Sequence, residues 1–202
     1  MKLYYSPGAC SLASHIAMHE AGMAFTALKA PTSTHKLDDG TDYYTINPLG
    51  YVPLVQLDDG TTLTEGPAIL QYVADQVPAK NLAPAAGTIE RYKMLGWVTF
   101  VSTELHKGGF TLLFNPMFSD EVKATVRTKL LGRLKHVDAA LAGKNYLMGD
   151  HFSVADAYLF TVTNWASKTG VDISGLANLA AFRVRTAARA GVQAAMKAEG
   201  LA

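Results

Sequence analysis

The spacing of apolar side chains changes near residue 78 of this 202-residue chain. Before that point, short apolar runs typical of strands alternate with segments whose apolar residues recur every three to four positions, as in helices. Strands are predicted over residues 3–5, 25–28, 54–57 and 62–64, and helices over residues 11–21 and 65–75. This order of elements predicts a small mixed α/β layer.

From residue 88 onward the apolar pattern is helical throughout. Long amphipathic helices are predicted over residues 90–113 and 121–141, and a strongly apolar helix over residues 154–168, which we expect to be central to a second domain. Just before it, Ser153 and Asp156 nearly match a capping box. Residues 77–87 contain two prolines and a glycine, as linkers often do. We therefore expect a first domain over residues 1–78, a linker over residues 79–87 and an all-helical domain over residues 88–202.

Composition indicates an ordinary folded protein, because 49% of the residues are hydrophobic and 17% are charged. The formal net charge of +1 gives no reason to expect a nucleic-acid or acidic-membrane partner. No apolar run approaches the roughly 20 residues of a membrane span. No signal-peptide core is recognisable either, so a cytoplasmic protein is the default expectation.

The single cysteine, Cys10, lies between the first predicted strand and the first predicted helix. Unpaired N–H groups and the helix dipole at such a position favour a thiolate and can lower a cysteine pKa from about 8.5 to roughly 3.5–7.5. A small buried hydrophobic residue is an equally good interpretation of the position alone. One cysteine excludes an internal disulfide and a CxxC mechanism, so thiol chemistry would need an external thiol, of which glutathione is the most abundant in a reducing cytosol.

Two further positions could bind a short charged peptide. A cis Val52-Pro53 bond would leave the N–H and C=O of Val52 facing outward, where a peptide could pair as an added strand. The residues alone favour a trans bond. Glu65 and Gly66 precede Pro67 at the N-terminus of the second predicted helix. A helix N-terminus can bind a carboxylate or phosphate, while Glu65 could accept a hydrogen bond from an ammonium group on the same ligand. The alternative is that Glu65 only complements the helix dipole.

Histidines mark three more candidate positions. His106 could donate a hydrogen bond to a thiolate or a leaving group, with Lys107 adding positive potential. The alternative is that both are solvated charges on a helix. His15 and His19 are four residues apart, as metal ligands on a helix can be. No third ligand is suggested nearby, so we interpret them as surface or packing residues and predict no metal site.

Several motifs, in this order along the chain, together resemble the cytosolic glutathione S-transferases, and specifically their bacterial beta class. They are YYSPGACSL at residues 4–12, NPLGYVP at 47–53, LTEGPAI at 63–69, ELHK at 104–107, SVAD at 153–156 and AEGL at 198–201. The resemblance runs from end to end, and it is the ordered set that is specific.

This resemblance implies a fold, a co-substrate and a set of site residues. The fold would be an α/β thioredoxin-like N-terminal domain plus an all-α C-terminal domain, assembled as a homodimer and with a cis Val52-Pro53 bond. Glutathione would be the co-substrate, with no tightly bound cofactor, and Cys10 and His106 would be catalytic. The implied glutathione-binding residues are Ala9, Cys10, His35, Lys36, Val52, Pro53, Glu65, Gly66, Thr99, Thr103, Glu104 and His106. The implied electrophile site contains Lys107, Phe110 and Trp165.

Particular roles also follow from the resemblance. Val52 would pair with the cysteinyl backbone of glutathione, Glu65 and Gly66 would hold its γ-glutamyl end, and Cys10 would lie beside its sulfur, able to form a mixed disulfide. The box at Ser153 would serve folding.

Three positions depart from the class pattern. His35 stands where a lysine is common, although Lys36 follows it, and Thr99 stands where an asparagine often reaches across the dimer. The pair Gly108-Gly109 is expected to loosen the helix beside the electrophile site.

The expected function is conjugation of the glutathione thiolate to small hydrophobic electrophiles. A glutathione-dependent thiol-disulfide reductase that uses Cys10 is one alternative. Another is a non-catalytic module that binds hydrophobic ligands, since one fold can serve several functions.

Overall fold

The computed structural model describes every residue from Met1 to Ala202, and its contacts divide the chain into two compact units. Unit 1 contains Met1–Leu82 together with Arg189–Ala202, and unit 2 contains Ala83–Ala188. The boundary after Leu82 falls inside the predicted linker, residues 79–87. Unit 2 differs from the predicted second domain, residues 88–202, because the last fourteen residues pack within unit 1.

Unit 1 is built on a four-stranded sheet with the order β2-β1-β3-β4. The strands are β1 (Lys2–Tyr5), β2 (Thr26–Lys29), β3 (Leu54–Gln56) and β4 (Thr62–Thr64). β1 pairs in parallel with β2, whereas β3 pairs antiparallel with both β1 and β4. The sheet and its helices, α1 (Ser11–Ala21) and α2 (Gly66–Gln76), form the expected thioredoxin-like layer.

Local sequence explains where the two helices of this layer begin and end. α1 ends at Gly22, whose φ of 69° is the left-handed conformation that glycine adopts without strain. α2 begins with Gly66 and Pro67, and proline suits a first helical turn because that N–H has no intrahelical partner. The two helices pack against each other and against the sheet, and Ile16 of α1 and Ile69 of α2 are completely buried.

Unit 2 is entirely helical, as expected. Its elements are α3 (Ile89–Phe100), a π-helical segment (Val101–Phe110), α4 (Thr111–Phe114), α5 (Asp120–Ala140), α6 (Val154–Thr163), α7 (Ala166–Thr169) and α8 (Ala177–Ala187). α3, the π segment and α4 are contiguous, so the helix predicted over residues 90–113 is present with a π-helical middle. All ten residues of α6 are buried, which agrees with its predicted central place. No helix of the chain is long and apolar enough to cross a membrane.

The C-terminal segment is held in unit 1 by polar contacts with α1 and with the loop before it. Its helix, α9 (Ala190–Ala198), packs along α1, and Arg189 makes a two-pronged ion pair with Glu20. The buried Glu199 carboxylate lies 2.9 Å from Nδ1 of His15 and accepts the N–H of Gly8 at 2.8 Å. These contacts explain why residues 189–202 pack with unit 1.

His15 and His19 pack against neighbouring side chains of unit 1. Their rings stack with centroids 5.1 Å apart, and His15 is buried against Glu199. No group of three or more histidine, cysteine, aspartate or glutamate side chains in the chain could hold a metal ion.

Candidate functional site

The loop before α1 holds Cys10 at the helix N-cap. Gly8 has a φ of 70°, which turns the chain into the helix. The Ser11 hydroxyl donates to the Ser6 carbonyl at 3.2 Å and accepts the Ser6 N–H at 3.1 Å, which closes the loop. Ala9 donates its N–H to the same Ser6 carbonyl. Cys10 is partly exposed at the start of the helix, where the sequence predicted it.

Cys10 meets Val52 directly. The Cys10 Sγ lies 3.2 Å from the Val52 carbonyl oxygen, to which a thiol at this position can donate. The Val52-Pro53 bond is cis, which confirms the expectation from the resemblance and makes the trans bond favoured by the residues alone wrong. The Val52 N–H forms no hydrogen bond within the chain, and its carbonyl oxygen has a second lone pair that can accept another donor.

Glu65 precedes α2 in an unusual backbone conformation. Its φ of 66° is rare for a residue with a side chain and costs on the order of 1–3 kcal/mol. The side chain is exposed, and its carboxylate forms no hydrogen bond or ion pair within the chain. Gly66 begins α2, and a Cβ added to it would lie 3.9 Å from the Pro53 ring. Glu65, Gly66 and Pro53 are therefore close together in unit 1.

His35 and Lys36 occupy different environments although they are adjacent. The His35 ring packs on Tyr44, with centroids 4.6 Å apart, and its buried Nδ1 has no hydrogen-bond partner. A Cβ added at Gly50 would approach this ring to 2.9 Å, so the glycine makes room for it. The Lys36 side chain is exposed. Of the two, Lys36 is the one able to present a full charge to a ligand.

In unit 2, most of the implied site residues lie on the π segment. They are Thr103, Glu104, His106, Lys107 and Phe110. A π-helix bonds each N–H to the carbonyl five residues earlier, is rare in proteins, and frequently occurs at functional sites. Sequence reasoning predicted an ordinary helix here, loosened at Gly108-Gly109, and the two glycines were the visible signal of the π-turns.

His106 is buried and electrically neutral near pH 7. Its Nδ1 lies 2.7 Å from the Tyr158 hydroxyl, and its ring meets the Trp165 indole with centroids 5.1 Å apart. Burial, followed by the nearby charge of Lys107, lowers the pKa of His106 to about 4. Sequence reasoning missed Tyr158, although a tyrosine in the strongly apolar α6 needs a partner for its hydroxyl.

Glu104 is paired within its own unit. Arg133 of α5 donates to its carboxylate at 2.8 Å, and this hydrogen bond holds the pKa of Glu104 below its usual range. The Thr103 hydroxyl donates to the carbonyl of Thr99, one turn earlier, and both threonines are exposed. Arg133 was not singled out by sequence reasoning, because it lies on another helix.

The residues implied for the electrophile site form an aromatic cluster with one charged neighbour. Phe110 is fully buried, and its ring meets Trp165 with centroids 5.9 Å apart. Phe114, which sequence reasoning missed, meets the same indole at 5.9 Å and is 49% exposed. Lys107 is exposed. Phe114 is therefore the member of the cluster that a ligand can reach most easily.

The candidate site residues therefore fall into two sets, one in each unit. Unit 1 holds Ala9, Cys10, His35, Lys36, Val52, Pro53, Glu65 and Gly66, whereas unit 2 holds Thr99, Thr103, Glu104, His106, Lys107, Phe110 and Trp165. Within unit 1, Cys10 contacts Val52. Within unit 2, His106 and Phe110 share contacts with Trp165.

The thioredoxin-like layer and the helical unit each match a family model. The glutathione S-transferase N-terminal domain matches residues 8–76, and the glutathione S-transferase C-terminal domain matches residues 96–190. The chain therefore belongs to the glutathione S-transferase family, and it is a transferase enzyme that uses glutathione as a substrate.

Individual relatives narrow this assignment to a class. The chain is 49% identical to glutathione S-transferase GstA of Escherichia coli O157:H7 over all of both chains. A sphingomonad glutathione S-transferase solved in complex with glutathione is 47% identical, with a TM-score of 0.94 over all of both chains. The bacterial beta class enzyme of Sphingomonas chungbukensis is 48% identical, with a TM-score of 0.95 and the same full coverage. The chain is accordingly a bacterial transferase of the beta class.

Proposed function

We propose that this enzyme conjugates glutathione to the electrophilic carbon of small hydrophobic molecules. The glutathione thiolate attacks the carbon, a C–S bond forms, and the leaving group departs with its electron pair while the thiol proton passes to solvent. The observation that carries the proposal is the 3.2 Å contact between Cys10 and the Val52 carbonyl. A peptide whose cysteine pairs with Val52 would bring its own sulfur close to Cys10.

The rest of unit 1 supports binding of the two ends of the tripeptide. The unpaired carboxylate of Glu65 is suited to the ammonium group of the γ-glutamyl end, and the N-terminus of α2 at Gly66 is suited to its carboxylate. The exposed ammonium of Lys36 is suited to the glycyl carboxylate, with His35 packed beside it. We assign Ala9 and Pro53 to the walls of this site.

In unit 2, we assign His106 the role of a neutral hydrogen-bond donor to the reacting sulfur or the leaving group. The Tyr158 hydroxyl, 2.7 Å from Nδ1, can donate to that nitrogen and so leave the proton on Nε2. A donor aimed at developing negative charge lowers the barrier to conjugation. Thr99, Thr103 and Glu104 are proposed as further glutathione contacts.

Replacing Glu65 tests the binding assignment. Glu65→Gln keeps the side-chain shape but removes the charge, and a lost charge-assisted hydrogen bond of about 1.5–3 kcal/mol weakens binding roughly 10- to 100-fold. The measurement is isothermal titration of glutathione, with circular dichroism to verify folding. Glu90→Gln, at an exposed position on α3, is the matched control. Parent-like affinity in Glu65→Gln would show that the γ-glutamyl end binds elsewhere.

A second candidate function is glutathione-dependent disulfide reduction, and the position of Cys10 at a helix N-cap favours it. The Cys10 thiolate would attack a glutathionylated substrate, releasing the substrate thiol and forming a mixed disulfide. A second glutathione would then reduce that bond and leave as glutathione disulfide.

Cys10→Ala separates the two chemistries. If conjugation is the main activity, the variant retains a substantial rate with chlorodinitrobenzene and loses any reduction of hydroxyethyl disulfide. The parent's mass under non-reducing conditions should show a glutathione-sized addition that dithiothreitol removes and that Cys10→Ala lacks. If the parent reduced hydroxyethyl disulfide far faster than it conjugated chlorodinitrobenzene, disulfide reduction would be the main activity instead.

We also propose a homodimer and a hydrophobic electrophile site formed around Phe110, Trp165 and Lys107. The support is the beta-class resemblance together with the aromatic cluster of unit 2. Retention on immobilised glutathione without turnover of any electrophile would instead favour the non-catalytic binding module.

A further inference from the structure

The π segment contains two adjacent glycines that no other residue could replace without a shift of the backbone or of a neighbouring side chain. A Cβ added at Gly108 would lie 2.5 Å from the Thr103 carbonyl oxygen, a distance that real Cβ atoms do not adopt. The obstacle is backbone five residues earlier in the same helix, so no side chain can swing aside to relieve it. A Cβ at Gly109 would lie 2.7 Å from Leu130 of α5 and 3.1 Å from the Glu104 carbonyl oxygen.

Glycines elsewhere in the same unit are under no such constraint. Gly96 in α3 and Gly132 in α5 are also in helices, yet beyond the adjacent turn of its own helix an added Cβ would meet no atom within 4 Å at either position. The close approach is thus a property of the π segment, whose turns bring the Thr103 carbonyl over residue 108.

The register of this segment sets the directions of the side chains on it. His106 and Phe110 both contact Trp165, and His106 also meets the Tyr158 hydroxyl. A π-turn rotates the residues that follow it relative to those before it, compared with an α-turn. A change that forces the segment toward α-helical register would therefore move His106 away from Tyr158, or Phe110 away from Trp165.

We propose that Gly108 and Gly109 are specificity-determining positioning residues, which hold the π register and so fix how His106 and the aromatic cluster meet an electrophile. This inference rests on the proposed conjugation of hydrophobic electrophiles. The glycines do not touch the reacting atoms, and they act through the residues on either side of them.

The test compares Gly108→Ala with the matched control Gly132→Ala. Both add one methyl group to a helix of unit 2. The measurement is kcat/KM for chlorodinitrobenzene and for a bulkier electrophile, together with the Kd for glutathione. Because misplacement of a catalytic group by about 1 Å can cost on the order of 100-fold in rate, we expect Gly108→Ala to change the ratio of the two kcat/KM values by roughly tenfold. The Gly132→Ala control should stay within about twofold of the parent in both kcat/KM values and in the Kd for glutathione.

A second readout does not depend on turnover. NMR titration of the His106 ring should give a pKa near 4 in the parent and a higher one in Gly108→Ala, because a displaced imidazole regains water. If the parent conjugates no electrophile, the proposed function fails, and this titration still tests the role of the glycine. An unchanged titration together with an unchanged ratio of kcat/KM values in folded Gly108→Ala would overturn the inference.

Gly109 provides a second variant in case Gly108→Ala does not fold. Gly109→Ala combined with Leu130→Val relieves the contact with α5 and leaves only the approach to the Glu104 carbonyl. We expect an altered ratio of kcat/KM values in this double variant. A parent-like ratio would mean that the glycine serves helix packing alone and would overturn its assigned role.

Discussion

Folding buries the His106 ring among aromatic side chains, and this burial determines its protonation state. The ring is 6% exposed, contacts Trp165 and Tyr158, and stays neutral because burial disfavours the imidazolium form. A neutral imidazole can donate a hydrogen bond without a competing counter-ion. The nearby ammonium of Lys107 adds to the penalty on a second positive charge.

The same burial makes stability depend on pH. The pKa of His106 is about 4 in the folded protein against an ordinary 6.5, so the unfolded chain binds the proton first as pH falls. The contribution of neutral His106 to the free energy of unfolding is complete above pH 6.5. It is lost progressively toward pH 4, by up to about 3 kcal/mol. His106→Asn should remove this loss, which urea unfolding at several pH values between 4 and 7 would measure.

Asp156 has the opposite effect over nearly the same range, because burial raises its pKa to about 6. The parent's own pH profile therefore combines two slopes of opposite sign, and the difference between parent and His106→Asn isolates the histidine. His151→Asn, at an exposed position, is the control. A difference that does not vary with pH would contradict the buried, neutral imidazole.

At the scale of elements, local signals were predictable and contacts between elements were not. The box before α6 is an example of both. The Asp156 carboxylate accepts the N–H and the hydroxyl of Ser153, as three-residue spacing implies, and it also accepts the N–H of Leu147 at 2.8 Å. The contact with Leu147 depends on how the preceding loop folds over the helix, which residue spacing does not encode.

The π segment and the partners of the site residues illustrate the same limit. The apolar pattern of residues 90–113 predicted a helix but not the π register of its middle ten residues. The motifs singled out Cys10 and Glu65, whose proposed chemistry is local to a helix N-cap. Tyr158 and Arg133 were missed because each reaches the π segment from another helix.

At the scale of the whole molecule, the Glu199 carboxylate connects the two ends of unit 1. It bonds to Gly8, 191 residues earlier in the chain, and to His15 on α1. Removing it would take one acceptor from the half-buried N–H of Gly8 and from the buried imidazole of His15. The loop that carries Cys10 is therefore bonded to Glu199, a residue that lies within the second domain predicted from the sequence, residues 88–202.

Glu199→Ala should accordingly destabilise the protein. Breaking a buried pair of this kind costs about 3 kcal/mol, which for a chain of this length lowers Tm by roughly 6–12 °C. Thermal unfolding followed by circular dichroism is the measurement. Gln193→Ala, at an exposed position of α9, is the control, and a Tm equal to that of the control would argue against the contact.

The return of Arg189–Ala202 to unit 1 has a consequence for how the protein is made. Ribosomes add about 5–20 residues per second, so Glu199 is synthesised roughly 10 to 40 s after Gly8, once all of unit 2 has been translated. Met1–Leu82 therefore leave the ribosome first, and Arg189–Ala202, which complete unit 1, are synthesised only after unit 2. Unit 2 is continuous in sequence, whereas the Cys10 loop gains the Glu199 carboxylate as a hydrogen-bond acceptor only once translation has passed α9.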